Sequence, residues 1–291
     1  MPGVAAGDSE AWGARLRLLT PGPAEVPQRL RAAAVADIHH HSTAAYHAIE
    51  EQVREGLTEV MGTGGEVVLL PAPGTGAVEA ATRSLFRPGE SVLVVRSGRF
   101  GERWADQCEA AGLRVRHLDV EWGESVTQAR LEAALRGEPF DGVCVVHGET
   151  STGARADLSM VGSCIAGRAL LVVDAIGTLG LDELQMDAWS VDAAVGAAQK
   201  GLLGFPGLSW VALGPRARER ATRAGTDAYY LDLDRHLRAM RNGTHVCTPA
   251  IVQTVGLRES LEELRAYGWT EVLCRVQALS EAFRRSAAAV G

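Results

Sequence analysis

Lys200 and Asp174 are the residues whose type and setting suggest chemistry. Lys200 sits in Gly196-Ala-Ala-Gln-Lys-Gly201, directly after the apolar run that begins at Val191. Asp174 ends a second apolar run, Ala169-Leu-Leu-Val-Val-Asp174. An isolated lysine at a strand end is ordinarily solvated. Here its neighbours have almost no bulk, so another group must fill the space beside it. A desolvated lysine has a lowered pKa and becomes a nucleophile toward carbonyl carbon. A buried carboxylate can keep a heteroaromatic nitrogen protonated, and that makes the ring an electron sink. One cofactor uses both groups: pyridoxal phosphate, held as a Schiff base by the lysine and paired at its pyridinium nitrogen by the aspartate. Asp174 could instead cap a helix, but Ala175-Ile-Gly-Thr-Leu-Gly180 does not begin a convincing one.

Other segments supply what such a cofactor needs. Pro73-Gly-Thr-Gly-Ala-Val-Glu-Ala80 follows an apolar run and opens a helical stretch. Its glycines allow close backbone approach, and the free N–H groups of a helix N-terminus suit a phosphate. It is neither a dinucleotide fingerprint, because Glu79 stands at the third glycine position, nor a P-loop. Phe100, in Arg96-Ser-Gly-Arg-Phe-Gly101, offers a flat ring for stacking. His147-Gly-Glu-Thr-Ser-Thr-Gly153 is a polar, glycine-flanked loop in which Thr150 can reach a phenolic oxygen. His147 and Glu149 form no complete metal set, and the adjacent His39, His40 and His41 do not easily converge on one ion. No metal is expected.

The elements that position these residues alternate. Apolar runs lie at 67–71, 91–95, 113–118, 142–146, 169–173, 192–195 and 208–213, with helical stretches at 77–86, 100–111, 126–135 and 158–167 between them. Most of the runs are continuous, as strands buried on both faces are. Alternation of this kind means an α/β fold with a mostly parallel sheet, and ligands of such sheets bind beyond the carboxyl ends of strands. From about Pro249 the pattern changes to two helices, 251–264 and 270–289. The first dozen residues, rich in glycine and alanine, read as mobile.

Composition sets the outer limits. The chain has 291 residues, is 46% hydrophobic and carries a net charge of -7. That balance disfavours a general nucleic-acid or acidic-membrane binder. The five cysteines are scattered, no stretch is long enough to span a bilayer, and Met1 to Asp8 has no signal-peptide pattern. A reduced, cytoplasmic, soluble protein is expected.

Taken in order, the motifs resemble those of the class V aminotransferases of pyridoxal-phosphate fold type I, in particular the serine–pyruvate/alanine–glyoxylate group. They are Leu19-Thr-Pro-Gly-Pro23, His40-His-Ser42, Gly74-Thr-Gly-Ala-Val-Glu79, Gly98-Arg-Phe-Gly101, His147 to Gly153, Asp174 to Gly180, Gln199-Lys200 and Pro206-Gly207. The resemblance implies a major domain over 16–250, a seven-stranded mostly parallel sheet flanked by helices. It implies that Lys200 carries the cofactor and moves the proton between substrate Cα and cofactor C4′, while Asp174 pairs with the pyridinium. Ile176 and Phe100 would enclose the ring, Thr150 would bond its phenolic oxygen, and Gly74, Thr75 and Gln199 would hold the phosphate. A homodimer with shared active sites is implied, with Thr248 in Cys247-Thr-Pro249 reaching the partner's phosphate, and the 21–23 loop flanking the substrate.

The sequence departs from the family's habit at Pro73, Ala198 and His41. The family's C-terminal small domain carries the arginine that grips the substrate carboxylate. Residues 251–291 are expected to form a helical segment leading to that domain, which is absent from this sequence. The implied reaction moves an amino group from a small alanine- or serine-like amino acid to a small 2-oxo acid such as glyoxylate or pyruvate. The alternatives are another pyridoxal-phosphate reaction (lyase, decarboxylase or racemase) and a shortened cofactor-binding paralogue with little catalysis.

Overall fold

The computed structural model describes residues 18–35 and 40–290, so the expectation for the first dozen residues and His39 lie outside the described residues. Seven strands form one sheet in the order β1-β9-β8-β7-β4-β2-β3. They are β1 (Glu66–Leu70), β2 (Ser91–Arg96), β3 (Arg114–Asp119), β4 (Gly142–Val146), β7 (Leu170–Asp174), β8 (Ala193–Ala197) and β9 (Ser209–Leu213). Two short strands, β5 (Gly148–Glu149) and β6 (Ala154–Arg155), make a separate hairpin. β9 runs antiparallel to β1 and β8, and the remaining pairings are parallel. All seven apolar runs are strands of this sheet, as expected.

The central strands β4, β7, β8 and β9 are buried along their whole length. Each sends alternate side chains into opposite cores, which is why the runs read as continuous rather than alternating. Val143, Val145, Leu171 and Val173 join one core with Val53, Leu57 and Met61 of helix α2 (Ala44–Met61) and Leu257 and Leu261 of α9 (Ile251–Tyr267). Cys144, Val146, Val172 and Val195 join the other, with Ala77 of α3 (Gly74–Leu85) and Trp104 of α4 (Arg99–Ala110). β3, at the edge, exposes most of its residues.

β8 has the composition Ala-Ala-Val-Gly-Ala and packs against β9 with Gly196 opposite Trp210. A Cβ on Gly196 would lie 2.4 Å from the indole ring, so the fully buried Trp210 occupies the space that Gly196 leaves. Helix α3 starts at Gly74, three residues before the expected Ala77, because the glycine-rich turn is itself the first helical turn. α2 was not anticipated by the sequence. Its N-cap Thr43 accepts a hydrogen bond from the Tyr46 N–H and its C-cap Gly62 is left-handed, with φ 59°. α1 (Gln28–Ala34), α7 (Pro215–Ala224) and α8 (Leu233–Arg241) complete the layers beside α5 (Gln128–Leu135) and α6 (Leu158–Ile165). α9 packs on α1 and α2, whereas the final helix, α10 (Trp269–Val290), buries none of its described residues. No described helix is long and apolar enough to cross a membrane.

Candidate active site

β3 lies on one side of β2, while β4, β7 and β8 follow on the other. The chain therefore reverses its progress across the sheet between β2 and β4, and a crevice opens beyond the carboxyl ends of the strands. A cavity of about 260 Å³ lies at that edge. Gly74, Thr75, Phe100, Thr150, Asp174, Ile176, Gln199 and Lys200 all line it, delivered by strand ends and by the loops and helix starts that follow them. Eight of the nine residues expected at the cofactor thus meet in one place. The ninth, Thr248, lies on the exposed loop between α8 and α9 and does not line the cavity of its own chain.

Asp174 closes β7 and is 6% exposed. One of its oxygens accepts from the Ile176 N–H at 2.9 Å. Residues 175–181 make turns rather than a helix, so Asp174 does not cap one. Burial raises its pKa to about 6, with the Glu149 carboxylate adding to the effect and Lys200 opposing it. Burial also lowers the Lys200 amine from its ordinary value, against the pull of Asp174. The 21–23 loop presses on the lysine: a Cβ on Gly22 would lie 2.3 Å from Lys200 Cδ and 2.7 Å from Nζ. The Ala24 N–H bonds the Gln199 carbonyl at 2.9 Å and keeps that loop in place.

The opposite wall is built by α3 and α4. Pro73 caps α3 without a side-chain hydrogen bond, so the first N–H groups of the helix face the cavity with its positive dipole end. A Cβ on Gly74 would lie 2.5 Å from Ile176 Cδ1, so glycine is what lets the two approach. On α4, the Arg103 guanidinium lies 5.1 Å from the Phe100 ring centroid. Both residues line the cavity.

Glu149 is the functional residue that sequence reasoning passed over as part of a polar loop. It is 1% exposed. Its Oε2 accepts from the backbone N–H groups of Phe100 (2.9 Å) and Gly101 (3.2 Å), and its Oε1 from the Ser151 N–H (3.2 Å) and hydroxyl (2.6 Å). The Ser151 hydroxyl in turn accepts from the Arg99 N–H at 3.0 Å. The β5–β6 hairpin thereby caps α4 from a distance and fixes the Phe100 ring; a carboxylate at a helix N-terminus is favourable on electrostatic grounds as well. Glu149→Ala is expected to cost about 2 kcal/mol of stability, from three orphaned N–H groups near Phe100. It should also weaken pyridoxal phosphate binding at least ~10-fold, with Glu149→Gln between the two. Denaturant unfolding and a cofactor titration of the apoprotein check both effects.

His147 is buried at the end of β4, with its Nδ1 2.9 Å from the Thr178 hydroxyl. Burial drops its pKa to about 4, so it stays neutral at physiological pH and acts as a structural polar residue.

These groups fit pyridoxal phosphate. Asp174 is a desolvated carboxylate with a neutral backbone donor, Lys200 is a desolvated amine, and the first turn of α3 is uncapped. Gln199 lines the same cavity, and its side-chain oxygen is buried with no hydrogen-bond partner among the described residues.

Comparison with known proteins agrees. The family model "Aminotransferase class-V" matches residues 25–289. The serine–glyoxylate aminotransferase of Methylorubrum extorquens is 32% identical over 95% of this chain and 72% of its own length. The soluble hydrogenase 42 kDa subunit of Anabaena cylindrica is 32% identical over 93% of this chain and 72% of its own. The crystal structure of alanine–glyoxylate aminotransferase from Nostoc sp. superposes with a TM-score of 0.87 and 29% identity, covering 96% of this chain and 77% of that one. The chain belongs to the class-V aminotransferases, which depend on pyridoxal phosphate and pass an amino group between an amino acid and a 2-oxo acid.

Proposed function

We propose that Lys200 is the residue to which pyridoxal phosphate attaches. Its amino donor is a small amino acid of the alanine or serine kind, and its acceptor is a small 2-oxo acid such as glyoxylate or pyruvate. The observation that carries this reading is the pairing of a desolvated amine with a desolvated carboxylate on one cavity. The names of the Methylorubrum and Nostoc proteins support the choice of substrates. The hydrogenase-subunit name belongs to the Anabaena protein, and amino transfer here rests on Lys200 and Asp174.

When bound, pyridoxal phosphate supplies an electron sink for negative charge at the substrate Cα. Asp174 holds a proton on the pyridine nitrogen by remaining ionised beside it. Lys200 Nζ takes the proton from Cα; its lowered pKa keeps a larger share of it in the basic form near neutrality. Phe100 and Ile176 enclose the ring and exclude water, and Thr150 bonds the phenolic oxygen. The N–H groups of Gly74 and Thr75, with the Gln199 amide, take the phosphate.

The major domain is taken to end near residue 250, with 251–291 as the helical segment leading toward a small domain. A homodimer, in which Thr248 serves the partner's site, accords with the position of that residue outside its own cavity. A cytoplasmic setting accords with five unpaired cysteines.

The purified protein should be yellow. After borohydride, the tryptic peptide containing Lys200 should carry the cofactor's mass. A colourless protein whose spectrum does not respond to added pyridoxal phosphate, or the added mass on another lysine or none, would sink the assignment. Alanine or serine should then convert the bound cofactor to its pyridoxamine form. Failure with every amino acid would point to a different pyridoxal-phosphate reaction or to an inactive paralogue.

A further inference from the structure

Away from the cofactor cavity, two histidines meet one buried acid. Glu50 lies on α2 and is only 3% exposed. His47 precedes it by one helical turn, and its Nδ1 is 3.6 Å from Glu50 Oε2. His245, on the loop between α8 and α9, places Nε2 3.0 Å from the same oxygen. The His47 and His245 rings are parallel to within 4°, with centroids 5.4 Å apart. One ligand atom from each of the three residues lies within 4.8 Å of the others. A cavity of about 210 Å³ borders all three.

We propose that His47, Glu50 and His245 form a binding site for a divalent first-row transition ion, zinc foremost, with the remaining coordination position open to this cavity. Neutral imidazoles and a carboxylate are the donor set of three-ligand zinc sites. Zinc–nitrogen and zinc–oxygen bonds of about 2.0–2.2 Å separate tetrahedral ligands by roughly 3.3–3.5 Å, close to the 3.0 and 3.6 Å found here. The i, i+3 spacing of His47 and Glu50 on one helix lets two donors of α2 meet the same ion, as paired Glu and His residues do in helical metal bundles. One competitor lies nearby: Arg54 Nη2 is 3.5 Å from Glu50 Oε2. Arg54 also bonds Glu51 at 3.2 Å and keeps that partner when an ion takes Glu50.

Such an ion joins α2 to residue 245, three positions before Thr248. It therefore fixes the stem of the loop assigned above to the partner's site. The ion-binding proposal itself stands independently of that assignment.

The test is calorimetric titration of the full-length, tag-free, chelator-treated holoenzyme with zinc sulfate at pH 7.5. One ion per chain with micromolar or tighter affinity is expected. His245→Ala and Glu50→Gln should each weaken binding by ~100-fold or more. His117→Ala, at an unrelated His–Glu surface pair, should leave it unchanged. Circular dichroism establishes that the variants are folded. X-ray absorption of the unmodified zinc-loaded protein should show two imidazole ligands, a readout independent of any substitution. No binding up to millimolar zinc, binding unaffected by His245→Ala, loss in His117→Ala, or a spectrum without imidazole would overturn the site.

Discussion

Lys200→Ala should lower kcat for amino transfer by at least ~10⁴-fold, the upper end of what one proton-transfer group contributes, since the same nitrogen also anchors the cofactor. Thermal stability should change little, because the side chain is only partly buried and makes no hydrogen bond among the described residues. Pyridoxal phosphate should still bind, more weakly, through Asp174, Gln199 and the first turn of α3. Lys200→Arg separates charge from nucleophilicity: it keeps the cation beside Asp174 but cannot form an imine or act as a base. It should therefore be as inactive as the alanine variant. Steady-state kinetics with the cofactor saturating, together with absorbance before and after borohydride, distinguishes the outcomes. An arginine variant with more than a few per cent of activity would remove Lys200 from the reaction.

Asp174→Asn should have opposite effects on function and on the stability of the apoprotein. In the fold without the cofactor, burial holds the Asp174 pKa at about 6 against an ordinary 3.8, even with Lys200 and Arg103 pulling the other way. Between those values the folded chain keeps a proton that the unfolded chain has lost, so stability falls as pH rises from about 4 to about 6 and stays lower above that. The interval corresponds to ~3 kcal/mol as an upper figure. At pH 7.5 the asparagine variant lacks this penalty and can still accept the Ile176 hydrogen bond. Its apoprotein should melt higher, by about 5 °C.

The same change removes the charge that holds a pyridinium. Cofactor affinity should fall by on the order of 10²–10³-fold, the cost of truncating one member of a buried charge pair. For the unmodified protein, affinity should weaken as pH drops below about 6, where Asp174 takes up a proton. Calorimetry of the two apoproteins and cofactor titrations across pH 5–8 provide the measurements. An asparagine apoprotein that melts no higher would mean that the carboxylate is not strained by burial.

What the sequence disclosed follows from physics that acts locally. The inner strands of the sheet announced themselves as apolar runs because both of their faces are covered. Lys200, Asp174 and the Gly74–Thr75 turn were visible because they end or follow such runs. α2 was not legible: its inward residues Tyr46, Ile49, Val53, Leu57 and Met61 are diluted by charged and small residues, and no glycine–proline punctuation marks its start. α7 and α8 are rich in arginine and contribute few residues to the core. The Glu149 clamp depends on a contact across 49 positions, and the approach of His245 to Glu50 spans 195. No periodicity encodes either contact. The adjacent histidines at 39–41 read as a polar loop, and nothing local in the sequence marks His47 and His245 as the pair that meets at Glu50.

The exchange of bulk between Gly196 and Trp210 links two positions that never meet the substrate. Gly196 is four residues ahead of Lys200 on a strand whose small side chains give it little means of adjusting. Any larger residue at 196 forces β8 away from β9, and the displacement carries directly to the lysine. Among relatives the two sites should therefore vary as a pair, a bulkier residue at one matched by a smaller one at the other. Selection on catalysis would then be recorded in the sheet interior, in residues that an inventory of the cleft would omit.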